Sequence, residues 1–269
     1  MNEIKQQIIK WGGAKKSLGQ HFLTDERVVE KIVAAGAITK DDTILEIGPG
    51  LGVLTKVLTR SPARKIIACE KDDKLFEFLQ SEVKQKNLSL INQDALLLIP
   101  NLIATPPLKV ISNLPYNIAS PVIISLLTVC PVLPERMVLM VQKEVAQRLT
   151  AKPGDSNRGI LTVFLELFGR VKIIEKLSPG QFYPPPRVDS AVVRVDEIQM
   201  PKFDRKKAFR IIKMAFAKKR KKLKNSLFAP LEISGEEVDL ICKKAGITMD
   251  LRPEDLDKEQ WEELVLLLT

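Results

Sequence analysis

An apolar run leads directly into a glycine-rich turn in the stretch Asp42-Thr43-Ile44-Leu45-Glu46-Ile47-Gly48-Pro49-Gly50-Leu51-Gly52. Residues 42–47 predict a buried strand, and the glycines predict a turn into a helix that begins at Val53. Glycines let backbone N–H groups approach a ligand, and a helix N-terminus favours a carboxylate or phosphate. Val53 stands where the dinucleotide fingerprint has its third glycine, so a diphosphate cofactor is disfavoured. This stretch predicts an α/β fold with a ligand site at the glycine turn.

The strands that follow each close on a polar residue. Residues 64–70 predict a second strand that ends at a carboxylate about 20 positions after the glycines, the distance at which a carboxylate commonly meets ribose hydroxyls. Residues 88–92 predict a third strand, and residues 110–112 a fourth. Ligands of open parallel sheets lie beyond the carboxyl ends of the strands. Four strand-end residues are therefore expected to line one crevice: Gly48, Glu70, Asp94 and Asn113.

The fourth strand ends in a motif that suits flat substrates with an amine, Asn113-Leu114-Pro115-Tyr116. Pro115 pushes Leu114 toward an extended backbone, so that the Asn113 side chain and the Leu114 carbonyl converge on one point. The amine of an adenine would donate its two N–H groups there while its ring stacks on Tyr116. Taken alone, the motif equally fits a strand followed by a proline turn with a half-buried tyrosine.

The composition indicates a globular chain with a polyanionic partner. The 269 residues are 45% hydrophobic and carry a formal net charge of +9. This charge favours nucleic acid, although a membrane surface or simple solubility also fits it. No apolar core of signal-peptide length begins the chain and no arginine precedes Arg27, so we expect a cytoplasmic protein. The apolar run Pro121–Leu133 is too short to span a bilayer, and no membrane partner is expected.

Cysteine and histidine usage argues against a metal or disulfide protein. Cys69, Cys130 and Cys242 are far apart and form no C-x-x-C pair, so neither a disulfide framework nor a zinc site is indicated. His21 is the only histidine. A His-rich metal site and Ser-His-Asp catalysis elsewhere in the chain are thereby excluded, and no metal is expected.

The composition changes near Met200, which predicts two domains, residues 1–199 and residues 200–269. Residues 200–224 contain twelve cations and a single acid, Asp204. Phe209, Ile212 and Phe216 among them predict a helix that is packed on one side and binds phosphates on the other. Residues 234–269 are more acidic and are also predicted to be helical. We expect residues 200–269 to form a small helical domain.

A proline-rich bridge joins the last two predicted strands, residues 171–177 and 191–195. It holds Phe182 in an extended segment, where the ring is available as a second stacking surface. A rigid loop with Phe182 anchored in the core fits the spacing as well. At the other end of the chain, residues 1–20 are basic and polar and are expected to form a mobile arm, followed by a helix capped by Thr24 or Asp25.

Together these motifs resemble the KsgA/RsmA-type rRNA adenine dimethyltransferases. The resemblance covers nearly the whole chain and rests on five segments: residues 20–23, 46–52, 113–121, 182–190 and 216–227. The glycine turn by itself is typical of all S-adenosylmethionine-dependent methyltransferases. The runs Asn-Leu-Pro-Tyr-Asn-Ile-Ala and Pro-Pro-Pro-Arg-Val-Asp-Ser-Ala-Val-Val-Arg are far more specific to this family.

The resemblance implies a Rossmann-like class I methyltransferase sheet of seven strands, the last antiparallel, and a C-terminal helical domain that binds RNA. It implies S-adenosylmethionine as cofactor, with Glu70 at the ribose, Asp94 at the adenine amine and the Gly48 turn against the methionine portion. His21 and Leu23 match a motif that closes over the cofactor; asparagine is frequent at the position of His21 in bacterial relatives. Two sets of site residues are implied: His21, Leu23, Gly48, Glu70, Asp94 and Asn113 for the cofactor, and Asn113, Leu114, Tyr116 and Phe182 for the target base.

The implied substrate is a pair of adjacent adenosines in the 3′-terminal hairpin of 16S rRNA in the 30S subunit, each methylated twice at N6 during ribosome biogenesis by a monomeric enzyme. Methyl transfer from a sulfonium needs a nucleophile and no general base, which suits a site without a free histidine. Three alternatives stay open: the related large-subunit rRNA methyltransferases, a DNA adenine or protein glutamine methyltransferase, and a ribosome-assembly or transcription-associated binding protein that kept the fold without turnover.

Overall fold

A seven-stranded sheet is the centre of the computed structural model, which describes residues 20–218 and 221–269. Its strands are β2 (Thr43–Ile47), β3 (Lys65–Glu70), β4 (Leu88–Asn92), β5 (Leu108–Asn113), β6 (Arg136–Gln142), β7 (Arg170–Leu177) and β9 (Ser190–Asp196). They lie in the order β4-β3-β2-β5-β6-β9-β7. Among these seven strands only β9, the last of them in sequence, runs antiparallel to its neighbours, β6 and β7. The predicted sheet is thereby confirmed.

Two very short strands form a separate antiparallel pair beside this sheet. β1 (Phe22–Leu23) precedes the first helix, and β8 (Phe182–Tyr183) lies in the proline-rich bridge. Phe22 pairs with Tyr183, and Leu23 pairs with Phe182. This pair ties the start of the described chain to a segment about 160 residues further on. The arm predicted at residues 1–20 lies outside the described residues, except for Gln20.

Helices connect the strands and continue to the end of the chain. They are α1 (Glu26–Ala35), α2 (Val53–Leu58), α3 (Asp73–Glu82), α4 (Ala95–Leu98), α5 (Ala119–Thr128), α6 (Lys143–Leu149), α7 (Ile160–Glu166), α8 (Arg205–Phe216), α9 (Ala229–Leu231), α10 (Gly235–Ala245) and α11 (Lys258–Leu268). Short 3₁₀ turns occur at Ile99–Asn101, Pro179–Gln181 and Pro253–Asp255, and a π-helical turn at Lys224–Phe228. Among residues 20–218 and 221–269, no helix combines the length and the apolar character that crossing a membrane requires.

The helices cover both faces of the sheet because successive strand residues point to opposite sides. In β6, Met137 and Leu139 belong to one buried cluster, whereas Val138 belongs to another. The first cluster includes side chains of α5 and α7, and the second includes side chains of α1 and α2. The apolar residues on both faces of the central strands are therefore covered, as a doubly wound sheet requires.

The helices after Met200 share an apolar core with the sheet. A single cluster of buried side chains extends from Leu139 in β6 to Phe216 in α8 and Trp261 in α11. Arg158 adds a buried polar connection: its guanidinium donates to the Ala151 carbonyl over 3.1 Å and to the Leu256 carbonyl over 3.0 Å. The division at residue 200 remains a prediction from composition, and the packing across that position is continuous.

Most element bounds agree with the prediction, and the deviations have local causes. The predicted helix at residues 121–128 begins earlier, at Ala119, because a proline is tolerated in the first turn of a helix. The helix predicted at residues 72–85 ends at Glu82, where Val83 turns to an extended backbone. Asp25 is the cap of α1 and accepts from the Arg27 amide, which decides between the two predicted caps.

Candidate active site

The sheet opens into a crevice where β2 and β5 separate. The hydrogen-bonded pairing of these two strands ends at Leu45 and Val110, two residues before the end of β2. Beyond that point the Ser112 hydroxyl donates to the Ile47 carbonyl over 2.6 Å and accepts from the Ile47 amide over 3.2 Å. The strand order reverses between β2 and β5, so this is the switch point at which open α/β sheets bind ligands.

The glycine turn forms one wall of this crevice. Gly48, Gly50 and Gly52 all have positive φ, at 66°, 60° and 76°. A Cβ at Gly50 would lie 2.9 Å from the Phe22 ring, and a Cβ at Gly52 would lie 2.6 Å from Leu79. Glycine is therefore required both by the left-handed backbone and by the close packing. The turn leads directly into α2, as the spacing predicted.

Glu70 ends β3 with its carboxylate directed at the glycine turn. Oε2 accepts from the Gly50 amide over 3.1 Å, and Oε1 accepts from the Asp72 amide over 2.9 Å. Burial raises the pKa of this carboxyl above its ordinary value, and the two backbone hydrogen bonds act in the opposite direction. Two lone-pair positions of the carboxylate remain for donors on a ligand.

Asp94 caps α4 at the neighbouring strand end. Oδ1 accepts from the Leu96 amide over 2.9 Å, and Oδ2 accepts from Lys71 Nζ over 2.8 Å. The bond from Lys71 holds the pKa of Asp94 below its ordinary value. The carboxylate is therefore ionised at neutral pH, half-buried, and able to accept further N–H groups.

Glu46 is a site residue that the sequence analysis did not single out. It lies inside β2, is only 1% exposed and lines the same cavity, and burial raises its pKa to about 8. Within the described part of the chain, its Oε2 atom has no hydrogen-bond partner. An acidic residue between Leu45 and Ile47 in a fully buried strand is itself a signal, because burying a carboxylate without a partner is costly.

The Asn-x-Pro-Tyr motif forms the opposite wall. Asn113 is the last residue of β5, and the Leu114 amide donates to the Met140 carbonyl of β6 over 3.2 Å. The Asn113 Nδ2 group donates to the His21 carbonyl over 3.3 Å. Nδ2 is thereby engaged, so Oδ1 is the end of the amide that is left to accept hydrogen bonds.

Tyr116 is half-buried and held at both its hydroxyl and its ring. The hydroxyl is hydrogen-bonded to Ser190 Oγ at 2.5 Å, and burial raises the pKa of the phenol. The ring stacks on the His21 imidazole, with ring centroids 5.6 Å apart and an interplanar angle of 25°. His21 Nδ1 lies 2.8 Å from the Pro184 carbonyl oxygen, which is able only to accept, so Nδ1 donates.

Phe182 differs from its predicted placement as a second stacking surface. Its side chain is 2% exposed and belongs to the buried cluster that contains Leu23 and Val28. It does not line the cavity. The β1–β8 pairing is the reason, since it places Phe182 opposite Leu23 and turns both side chains into the core. In this structure the ring has no open face for a base.

The remaining predicted site residues meet at one cavity. They are His21, Leu23, Gly48, Glu70, Asp94, Asn113, Leu114 and Tyr116. Cys69 and Gln93 also contribute to the wall, and the Cys69 thiol donates to the Gln93 carbonyl. Within residues 20–218 and 221–269, no group of three or more His, Cys, Asp or Glu side chains is arranged to hold a metal ion.

A family model described as Ribosomal RNA adenine dimethylase matches residues 13–269. The chain belongs to the ribosomal RNA adenine dimethylase family. A Clostridium botulinum relative named Ribosomal RNA small subunit methyltransferase A is 39% identical over 256 residues, which are 93% of this chain and 92% of that protein. The protein of the same name from Dehalococcoides mccartyi is 40% identical over 259 residues, 94% of this chain and 88% of that protein. This dimethylase is thus an enzyme that methylates adenine in rRNA.

Solved structures agree with the family assignment. A dimethyladenosine transferase from Plasmodium falciparum has a TM-score of 0.72 at 27% identity and covers 91% of this dimethylase and 96% of that chain. The 23S rRNA methyltransferase ErmE has a TM-score of 0.66 at 25% identity and covers 92% and 99%. Coverage this extensive includes the C-terminal helices as well as the sheet, and it identifies the fold of the dimethylase as that of S-adenosylmethionine-dependent rRNA methyltransferases.

Proposed function

We propose that this protein uses S-adenosylmethionine to dimethylate two adjacent adenosines at N6 in the 3′-terminal hairpin of 16S rRNA, acting as a monomer on the 30S subunit in the cytoplasm. One observation carries the proposal. The glycine turn, two strand-end carboxylates and the Asn113-Leu114-Pro115-Tyr116 motif line a single cavity. A methyl donor and a planar amine bound in it would lie side by side, which is what a direct transfer requires.

The chemistry of the cavity wall fits the cofactor. When bound, S-adenosylmethionine supplies a methyl group carried by a sulfonium. Glu70 would accept from the ribose hydroxyls and Asp94 from the adenine amine, since both carboxylates keep lone pairs free. Gly48 would lie against the methionine portion, and Leu23 would close over the cofactor. The unpaired oxygen of Glu46 is suited to the ammonium group.

Asn113 and Leu114 would prepare the target amine for attack. The lone pair of an adenine amine is delocalised into the ring, so the nitrogen is a poor nucleophile. Hydrogen bonds from its two N–H groups to Asn113 Oδ1 and to the Leu114 carbonyl favour a more tetrahedral, more reactive nitrogen. The proton becomes acidic only after the methyl group has transferred, so positioning and electrostatics replace a general base.

Tyr116 would stack on a base extruded from the RNA. Its hydroxyl is anchored on Ser190, which is fully buried at the start of β9, so the ring plane is set before the base arrives. Extrusion of a base costs a few kcal/mol. A stack on an aromatic ring offsets about 1–3 kcal/mol of that cost.

A basic surface on α8 and beyond would hold the RNA. Lys206, Arg210 and Lys213 are exposed and follow helical spacing, while Ile212 and Phe216 on the other side of α8 are buried. Lys222, further along, is paired with Asp250 at 2.8 Å. A row of cations along one helix face is suited to a phosphate backbone, because Lys and Arg that neutralise phosphates release condensed counterions.

We prefer small-subunit rRNA as the substrate because the chain is more similar in sequence to relatives named for small-subunit methylation than to the large-subunit enzyme. The two relatives named for small-subunit methylation are 39% and 40% identical, whereas the 23S rRNA methyltransferase ErmE is 25% identical. Asn113 and Tyr116 accommodate any planar amine, so the cavity alone does not discriminate between DNA, protein glutamine and RNA. A binding role in ribosome assembly is compatible with catalysis. The carboxylates and the Asn113 amide in the cavity support catalytic turnover.

The proposal is tested by mapping methylated nucleotides after incubation with labelled S-adenosylmethionine. Undermodified 30S particles and protein-free large-subunit RNA are offered in parallel. We expect N6,N6-dimethyladenosine at two adjacent positions in the 3′ hairpin of the small-subunit RNA. Label in large-subunit RNA alone would contradict the proposed substrate, and tight binding of 30S particles without label would favour the binding role.

The RNA surface is tested separately by salt dependence. Replacing the basic residues 218–222 with glutamine is expected to weaken RNA binding and to flatten its dependence on salt by roughly one unit of log–log slope per lost phosphate contact. Lys84→Gln with Lys86→Gln, on an exposed turn outside this region, is the matched control. An unchanged slope in the 218–222 variant would move the RNA surface elsewhere.

A further inference from the structure

Arg158 is a fully buried arginine between the sheet and the C-terminal helices. It ends the polar loop between α6 and α7, and its side chain is 0% exposed although residues 152–157 before it lie at the surface. A charged side chain is almost never fully buried unless it is paired. Arg158 lies outside the cavity, so its burial serves something other than direct contact with cofactor or base.

The guanidinium of Arg158 joins three segments of the chain. Its two terminal nitrogens each contact one oxygen of the Glu166 carboxylate at the end of α7, at 2.8 Å and 2.7 Å. One nitrogen also donates to the Ala151 carbonyl just after α6 over 3.1 Å, and the other donates to the Leu256 carbonyl just before α11 over 3.0 Å. The N–H groups of an arginine lie in one rigid plane, so such contacts fix direction as well as distance.

On the C-terminal side, this link reaches the helix that is proposed to hold the RNA. The segment 253–256 connects the carbonyl that Arg158 binds to the Pro253 carbonyl, which accepts from the Trp261 indole of α11 over 3.2 Å. The Trp261 ring stacks on the Phe216 ring, with centroids 6.0 Å apart and an interplanar angle of 17°. Phe216 is the last residue of α8, so Arg158 is connected to the basic helix through two successive contacts.

On the other side, α6 leads from Arg158 to the wall of the cavity that holds Tyr116. Lys143 begins α6 directly after β6, and its amide donates to the Asp189 carbonyl over 2.9 Å. The next residue, Ser190, is hydrogen-bonded to the Tyr116 hydroxyl. One end of α6 therefore lies beside the anchor of Tyr116, and the chain at its other end is held by Arg158.

Resting on the proposed function, we propose that Arg158 is a positioning residue that fixes the RNA-binding face of α8 relative to the cavity, so that bound RNA presents its adenosine at Asn113. The two regions also share an apolar core, which extends from Leu139 to Phe216. Apolar burial is non-directional, so this core favours contact between helices and sheet more than any one angle between them. The planar contacts of Arg158 supply the angle.

Loss of this link is expected to separate binding from transfer. The cations on α8 still hold the phosphates and the strand ends still hold the cofactor, so both affinities should stay within a few-fold. The reacting atoms, however, must approach to about 3–3.5 Å, and a misplacement of about 1 Å can cost about 10²-fold in rate. A changed angle between α8 and the sheet should therefore lower the rate of methyl transfer within the bound complex.

The test uses the full chain with Arg158→Met and Glu166→Met combined, because replacing both partners of a buried ion pair is tolerated far better than leaving one charge unpaired. Affinity for undermodified 30S particles is measured by filter binding and cofactor affinity by calorimetry. The transfer rate is measured in a single turnover with saturating enzyme and cofactor. We expect this rate to fall about tenfold or more while both affinities stay within a few-fold. Arg158→Lys keeps the charge without the planar fork, and its rate is expected to lie between those of the parent and the double variant.

The matched control removes a buried ion pair at the far end of the sheet. Lys109 lies near the start of β5, whereas Asn113 ends that strand, and Lys109 Nζ is 2.7 Å from Asp42 Oδ2. Lys109→Met combined with Asp42→Asn is expected to lose stability in urea and to keep the transfer rate of the parent protein. All rates are compared under conditions in which each variant is folded.

Three results would overturn the positioning role. They are a parent-like transfer rate in the Arg158 double variant, an equal fall in the Lys109 control, and a loss of RNA affinity that accounts for the whole fall in rate. Failure of the proposed function is recognised in the parent protein. If it methylates only large-subunit RNA, the substrate assignment fails and the variants are compared on that RNA; if it methylates neither RNA, both proposals fail.

Discussion

The two halves of the cavity are built in different ways. The donor half consists of residues at the ends of neighbouring parallel strands, namely the glycine turn after β2, Glu70 at the end of β3 and Asp94 after β4. The acceptor half combines Asn113 at the end of β5 with Tyr116, His21 and Ser190, which belong to a turn, to the segment before β1 and to the start of β9. The donor half depends on strand order, and the acceptor half depends on contacts between distant segments.

This difference predicts different responses to substitution. Strand ends are held by continuous ladders, so a change at Glu70 or Asp94 is expected to act locally on the cofactor. The acceptor half is held by single contacts, such as Tyr116 to Ser190 and Asn113 to His21. Loss of any of these contacts is expected to change catalysis while leaving the cofactor bound.

The largest effect is expected for Asn113→Ala. Removal of the acceptor for the target amine should lower the rate of methyl transfer by about 10²–10³-fold, the usual effect of losing one preorganised polar group, and cofactor affinity should stay within a few-fold. Single-turnover methylation and calorimetry provide the two measurements. Asn101→Ala, an exposed asparagine outside the cavity, is the control. If Asn113→Ala kept its turnover, the acceptor half would not have the catalytic role that distinguishes it from the donor half.

Ser112→Ala is expected to have the next largest effect, on stability. Ser112 joins the halves where the β2–β5 ladder ends, and its loss leaves the amide and the carbonyl of Ile47 without this partner. Each buried unpaired group costs about 1–3 kcal/mol, so with two such groups the free energy of unfolding should fall by about 2–6 kcal/mol. Urea denaturation of Ser112→Ala beside Ser81→Ala, whose hydroxyl is exposed, measures this. Equal stability of the two variants would show that the strands separate without needing this bridge.

The pH dependence of stability in Glu46→Gln tests the donor half. The folded-state pKa of about 8 exceeds the ordinary value of 4.5, so this group stabilises the protein relative to the unfolded state below pH 4.5 and loses that contribution as the pH rises through 8. Between pH 4.5 and pH 8 the parent protein loses stability and Glu46→Gln does not. The free energy of unfolding of Glu46→Gln should therefore rise relative to that of the parent by about 1 kcal/mol per pH unit. Urea denaturation at several pH values measures the difference, with Glu77→Gln, an exposed glutamate on α3, as control.

The same variant tests the contact with the cofactor. If the Glu46 carboxylate takes the ammonium group, cofactor affinity of the parent protein rises as the pH approaches about 7.5, because more of the carboxylate is ionised while an α-ammonium, with a pKa of about 7.7–8.0, still keeps its proton. The affinity of Glu46→Gln is expected to be lower and nearly independent of pH in this range. Parallel pH profiles for the two proteins would place the ammonium elsewhere in the cavity.

The smallest expected effect concerns the anchor of Tyr116. Tyr116→Phe and Ser190→Ala remove the same hydrogen bond from its two ends, so each should lower kcat/KM on the RNA modestly, by an amount near the value of one hydrogen bond, about 1 kcal/mol. The double variant should be no worse than either single variant, because the bond is then already lost. Additive losses would mean that Ser190 acts on something other than the tyrosine ring.

Much of the fold was predictable because it depends on regular patterns. Apolar runs separated by helical periodicity, together with the glycines after β2, predicted an α/β fold with parallel strands, and the family resemblance implied the seven strands and the antiparallel last strand. The carboxyl ends of parallel strands share one edge, so Gly48, Glu70, Asp94 and Asn113 were expected to meet, and they line one cavity. The resemblance to rRNA adenine dimethyltransferases was carried by motifs at these same positions.

The orientations of Phe182, His21 and Ser112 were beyond the reach of such patterns, whereas Glu46, an acidic residue beside apolar residues of β2, carried a sequence signal that was not used. The pairing of Phe182 with Leu23, the stack of His21 on Tyr116 and the bond from Ser112 to Ile47 join segments 65 or more positions apart. A local pattern reveals that a residue is aromatic or polar, whereas the direction of its side chain depends on what else packs there. Amino-acid order alone thus specifies the donor half, whose geometry follows from strand direction, and tertiary packing specifies the acceptor half, whose geometry follows from contacts between remote segments.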